Sequence, residues 1–233
     1  MNKSLSYYVT GRDNNFNLIR FIAATLVLFS HCYPLFYGAS AMDPLKKIVG
    51  FSLGTVAVDL FFISSGFLIA GSLYDRRDLV SFAKARILRI YPALAVCLVI
   101  TVFLMGPALT TLPIIQYFTD AQTYIYFLKN LVLFFGEEAI LPGLFAQLPW
   151  PNTVNGSLWT LPFEVRAYAL LVLVAYVFFY CEMKWDKFPS HQLFLMIAVF
   201  GMGLYLYDYF YKIFPIAYFG SEYARLFSMF FIG

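Results

Sequence analysis

The chain has 233 residues, 61% hydrophobic and only 12% charged, with a formal net charge of +3 and a mean hydropathy of +0.74. Soluble domains carry about a quarter charged and about half apolar residues, so the composition excludes an ordinary soluble domain and points to lipid. The small, scattered charge speaks against nucleic-acid binding, and Cys32, Cys97 and Cys181 share no metal-ligand spacing and read as small buried hydrophobes.

A membrane-spanning helix needs roughly 20 mostly apolar residues. The first fifteen residues are polar, and the apolar run behind them has no small-residue cleavage site. That run is therefore expected to be a first span, from about Phe16 to Phe36, and no cleavable signal peptide. A second span is expected over about Gly50 to Leu73 and a third over about Ile90 to Leu109. The segment 124–136, YIYFLKNLVLFFG, is short for a span and contains Lys129, so it reads as re-entrant or interfacial. A fourth span follows Ser157, a fifth covers about His191 to Tyr211, and a sixth begins near Tyr223 and stops at Gly233, too soon to cross. The fold class expected is all-α, a polytopic transmembrane helical bundle forming one integral-membrane domain over residues 1–233.

Lysine and arginine mark cytoplasmic loops. The tract after the second span carries Arg76, Arg77, Lys84, Arg86 and Arg89, which places that end and, counting back, the N-terminus in the cytoplasm. Lys46 and Lys47 then fall outside, against the rule.

Polar residues inside apolar runs are the candidate functional groups, because an ionisable side chain within a span faces the bundle interior or a water-filled cavity. Arg20 opens the stretch RFIAATLVLFSH and His31 closes it. Eleven positions at about 100° each make about three turns, so both point to one face, roughly 16 Å apart along the axis. Asp59, in VAVDLFFISSGF, needs a cation or several donors, for which Arg20 and His31 are candidates; the Ser64-Ser65-Gly66 turn allows close helix approach. Arg86 and Arg89, in SFAKARILRIYP, share a helix face. Pro92 is expected in the first turn of the helix that follows, where proline is tolerated. Guanidinium forks suit phosphate, so the pair suits a phosphorylated ligand at the cytoplasmic face as well as a topological anchor. In NGSLWTLPFEVRAY, Asn155 or Ser157 can cap the fourth helix and Trp159 suits an interfacial belt. Glu164 lies in the first turns of a membrane helix, where anchoring does not explain an acid.

Taken together, the arginine-ten-residues-histidine spacing from Arg20 to His31, VDLFFISSGFLI (58–69), RILRIYP (86–92) and SLWTLPFEVRAY (157–168) resemble the integral-membrane acyltransferases of family 3. That group includes O-acetyltransferases of bacterial surface polysaccharides. The resemblance covers the chain from about Asn14. Members typically have about ten spans, so this chain looks like the N-terminal part of the usual domain. The resemblance implies transfer of an acyl group, usually acetyl, from cytoplasmic acyl-CoA to a hydroxyl of a carbohydrate or lipid-linked glycan, in a bacterial inner membrane and without a metal. It implies that Arg20, His31 and Glu164 serve catalysis and that Arg86 and Arg89 bind the acyl donor. A histidine with pKa near 6.5 suits removal of a hydroxyl proton at neutral pH. A carboxylate, Glu164 or Asp59, would orient it. Direct transfer and a transient acyl-histidine both fit. Two other readings use the same residues: a transporter or flippase with a charged substrate pathway, and a family fragment that binds acyl-CoA without turnover.

Overall fold

A computed structural model describes residues 15–38, 40–41, 43–184, 195–196, 199–203, 206 and 217–233. Among these, every regular element is helical, and four helices are long and apolar enough to cross a membrane. The expected fifth span lies largely outside the described residues.

Helix α1 (Phe16–Tyr37) is the first of the four and contains Pro34 near its end. A short helix, α2 (Pro44–Val49), starts where Asp43 accepts from the Lys46 amide and stops at Gly50, whose φ of +83° suits a residue without a Cβ. Helix α3 (Leu53–Arg76) is capped by Ser52, whose hydroxyl accepts from the Thr55 amide at 2.9 Å. Arg77 closes it in the left-handed region, donating its amide to the Leu73 carbonyl.

The third span departs from expectation. Helix α4 (Leu79–Ile100) begins eleven residues before Ile90 and runs on through a π turn, Thr101–Met105, and a last turn, Gly106–Leu109. Residues 79–91 contain no glycine or proline, so nothing stops the helix between the basic tract and the apolar run. Pro92 is thus an interior residue of α4 and not one of its first turn. The stretch 124–136 lies partly in α6 (Ala121–Val132), which follows the short α5 (Ile114–Thr119). Twelve residues make roughly 18 Å, too short to span. Asn155 does not cap the fourth span. It adopts a left-handed conformation ahead of a 3-10 turn, Gly156–Thr160, which leads into α7 (Leu161–Lys184). The last helix, α8, covers Ala217–Ile232 and starts before Tyr223.

The chain forms two compact units. The first takes its described residues from Met1–His31, Asp43–Leu79 and Leu170–Gly233. Its seam is α3 against α8, where Phe62, Ile69, Leu226 and Phe230 are buried. A Cβ added at Gly66 would land on the backbone carbonyl of Phe230, so the small residue permits the close approach read from Ser64-Ser65-Gly66. The second unit takes its described residues from Cys32–Met42 and Val80–Ala169. Leu94, Leu98, Val102, Tyr117, Tyr126 and Leu133 form its core. The Tyr117 hydroxyl occupies the space a side chain at Gly106 would need and donates to the Val102 carbonyl at 2.9 Å, satisfying an oxygen in the π turn.

Candidate functional site

In the first unit, Arg20 and His31 stand on one continuous helix, α1. Arg20 donates through Nη2 to Ser65 Oγ of α3 at 3.1 Å. Ser65 is buried, so the hydroxyl fixes the guanidinium in a half-buried place. His31 is half-buried as well, and its Nδ1 lies 2.8 Å from the Val27 carbonyl oxygen, one turn back. A carbonyl only accepts, so Nδ1 carries the proton. The neutral ring then keeps its lone pair on Nε2.

Asp59 does not pair with Arg20 or His31. Its carboxylate meets Arg225 of α8 at 3.4 Å, and a second nitrogen of Arg225 binds Glu222 one turn earlier. Arg225 is 3% exposed. One buried guanidinium thus serves two carboxylates, so the cation that Asp59 meets comes from α8 and not from α1. The same unit holds a buried acid, Asp43, bonded to Ser30 and to the Leu53 amide.

The second unit brings Arg86, Arg89 and Glu164 around one aromatic residue, Tyr168. The Tyr168 hydroxyl donates to Glu164 Oε1 within α7, the contact expected for residues four apart on a helix. The Arg86 guanidinium lies between two rings, 5.6 Å from the centre of Phe82 and 5.9 Å from that of Tyr168, distances at which a cation is attracted to a ring face. Its Nε and Nη1 are buried and make no hydrogen bond among the described residues. Arg89, one turn on from Arg86 and exposed, adds a second cation on the same helix. Two cations, one of them with donors left over, and a carboxylate held by a phenol make a polar cluster that can take a phosphate-bearing ligand.

Arg166 has a different task. Its Nε and Nη2 both donate to the Phe134 carbonyl, at 2.8 and 2.5 Å, just beyond the end of α6. Asn155 is a hub for the start of α7. Its amide donates to Thr101 Oγ1 at 3.0 Å and to the Tyr126 hydroxyl at 3.1 Å, and Tyr126 in turn donates to the Val154 carbonyl at 3.4 Å. The π turn of α4, α6 and the approach to Glu164 are thereby tied together.

Sequence reasoning missed Asp43, Tyr168, Glu222 and Arg225. Tyr168 was within reach of the four-residue rule applied to Glu164. Arg225 had a signal of its own, an arginine within an apolar run, in a segment read as too short to cross.

Residues 13–233 match the family described as Acyltransferase domain, a range that contains every candidate residue named above. The chain is 34% identical over 160 residues to a curated protein of Shigella phage Sf6 named O-acetyl transferase, covering 68% of this chain and 45% of that protein. It is 30% identical over 200 residues to Nodulation protein 10 of Rhizobium leguminosarum bv. viciae, covering 83% of this chain and 50% of that protein. The chain spans about half the length of these relatives. No solved structure matches it.

Proposed function

The chain belongs to the integral-membrane acyltransferase family that it matches over residues 13–233, and on that premise we propose that it moves an acyl group, acetyl in the usual case, from acyl-CoA to a hydroxyl of a carbohydrate acceptor. The helices of spanning length put it in a membrane; the basic tract from Arg76 to Arg89 favours a cytoplasmic N-terminus and a donor that arrives from the cytoplasm. A bacterial inner membrane is the setting in which such a donor and a lipid-linked glycan meet. The name of the phage relative, O-acetyl transferase, supports acetyl and an oxygen acceptor.

The observation that carries the reading is the bond from His31 Nδ1 to the Val27 carbonyl. It leaves Nε2 as the ring's basic atom. In the proposed reaction the acceptor oxygen attacks the thioester carbon and its proton passes to His31 Nε2. The new C–O bond forms, the C–S bond breaks, and the departing thiolate takes up the proton as free CoA. Charge builds first on the thioester oxygen, where a guanidinium stabilises it. Arg20, anchored by Ser65, is the residue proposed for that charge or for a CoA phosphate. Arg86 and Arg89 are proposed to hold the donor's phosphates, a task suited to guanidinium forks. Glu164, held by Tyr168, is proposed as the acid that balances this charge or orients a polar substrate.

The test is release of free CoA from acetyl-CoA, with transfer to acceptor, in membranes carrying the full reading frame, wild type beside His31→Ala and Arg20→Ala. Both variants are expected to insert normally and lose transfer. Undiminished transfer in His31→Ala would remove the general base from this scheme.

A further inference from the structure

His31 directly follows Ser30 on α1, and Ser30 is held. Its Oγ donates to Asp43 Oδ2 at 2.6 Å. The same oxygen accepts from the Leu53 amide, at the start of α3, at 2.9 Å. The other oxygen, Oδ1, accepts from the Lys46 amide of α2 at 3.3 Å. Donors from three helices therefore converge on one carboxylate that is only 1% exposed. Capping α2 would need one of its oxygens and no burial; the second oxygen links α1 to α3. Gly54 fits the same picture, since a Cβ there would lie 2.9 Å from Ser30 Oγ and 3.2 Å from Ser30 Cβ. The first turn of α3 thus packs on α1 at the level of Ser30, and a larger residue would push it away.

We infer that Asp43 is a positioning residue for acyl transfer, holding α1 through Ser30 so that His31 keeps its aim. The inference rests on the role proposed above for His31. Successive residues of a helix point about 100° apart and move as one body. Any turn of α1 that takes Ser30 off Asp43 therefore swings the His31 ring through the same angle. A charged acceptor makes shorter and stronger hydrogen bonds than a neutral one, which suits a clasp that must hold a hydroxyl and two amides. Asparagine is a poorer clasp: with its one oxygen kept for Ser30 and the Leu53 amide, its NH2 group faces the Lys46 amide, donor against donor, and the charge that shortens the other two bonds is gone.

The experiment measures kcat and the KM for acetyl-CoA per folded molecule in membranes carrying the full reading frame. The variants are Asp43→Asn, Ser30→Ala, His31→Ala and the double variant Asp43→Asn/His31→Ala, beside Ser52→Ala. The last removes the α3 cap and leaves the Asp43 clasp in place. A misplaced catalytic group costs on the order of a hundredfold per Å, so Asp43→Asn and Ser30→Ala are expected to lower kcat roughly tenfold or more. KM for acetyl-CoA should stay within about twofold, Ser52→Ala should leave kcat unchanged, and the double variant should be no worse than His31→Ala. Should Asp43→Asn fail to fold, Ser30→Ala decides alone. Wild-type kcat in Ser30→Ala beside an inactive His31→Ala overturns the inference. An active His31→Ala instead overturns the reading on which it stands.

Discussion

Arg225 of α8 and Asp59 of α3 meet at 3.4 Å, with the arginine almost wholly buried. Glu222 shares the same guanidinium from one turn away. The cluster joins the two helices whose seam forms the core of the first unit, and it depends on one cation. Removing that cation strands two half-buried carboxylates. Removing one carboxylate leaves the arginine still paired. Breaking a buried pair from one side costs about 3–5 kcal/mol, while losing one charged hydrogen bond costs about 1.5–3 kcal/mol. Arg225→Leu is therefore expected to destabilise the protein by about 3–5 kcal/mol and Asp59→Asn by clearly less, as read from unfolding in detergent. Equal losses in the two variants would contradict a shared guanidinium.

Gly66 makes a second prediction about the same seam. A Cβ at this position would strike the Phe230 carbonyl, and backbone cannot turn aside as a flexible side chain can. Overpacking costs typically 1–3 kcal/mol. Gly66→Ala is expected near or above the top of that range, about 3 kcal/mol, because α3 and α8 must separate along their length. Among the described residues, nothing lies within 4 Å of a Cβ added at Gly203, so Gly203→Ala is the control and should be close to neutral. The two variants compared in one detergent unfolding series check the point.

Much of this architecture is legible in the sequence. A span needs apolar length, and apolar length is local; hence α1, α3, α4 and α7 fall where the runs are. Arg86 with Arg89, and Glu164 as an acid in a membrane helix, follow from spacing and from the cost of burying charge. Where α4 begins did not follow, because a basic tract and a membrane helix look like separate elements until one sees that nothing between them breaks the helix. The partners of Asp59, Asp43 and Asn155 did not follow either. Arg225 is 166 positions from Asp59, and Thr101 is 54 from Asn155. No local pattern says which distant residue will answer a buried polar group; that is fixed by helix packing.

On the role proposed for Arg86 in holding the donor, its cluster predicts a change in donor binding. Its Nε and Nη1 are buried donors without acceptors among the described residues, and a ligand phosphate would supply acceptors. Hydrogen bonds to charged groups are worth about 1.5–3 kcal/mol each, so Arg86→Ala is expected to raise the KM for acetyl-CoA roughly tenfold to a hundredfold with little change in kcat. Arg86→Lys keeps a charge but loses the planar fork and its stacking between Phe82 and Tyr168. It should fall between Arg86→Ala and wild type. An unchanged KM in Arg86→Ala would assign this arginine to packing alone.

Tyr126 predicts a loss of stability in alkali. It lies in α6, outside the helices of spanning length, and is fully buried. Burial, the largest cause, pushes its phenol from the ordinary 10 up to about 12, although the hydrogen bond from Asn155 pulls the other way. The folded protein thus holds the proton more tightly than the unfolded chain does. The stability this adds is fully present below about pH 10 and is lost as the pH rises from there through about 12. Tyr126→Phe keeps the ring but removes the hydroxyl that accepts from Asn155 and donates to the Val154 carbonyl. It should cost about 1–3 kcal/mol at neutral pH and flatten the alkaline slope over that window. Unfolding of both proteins in detergent across pH 8 to 12 reads both effects at once; an equally steep alkaline loss in Tyr126→Phe would assign the slope to another group.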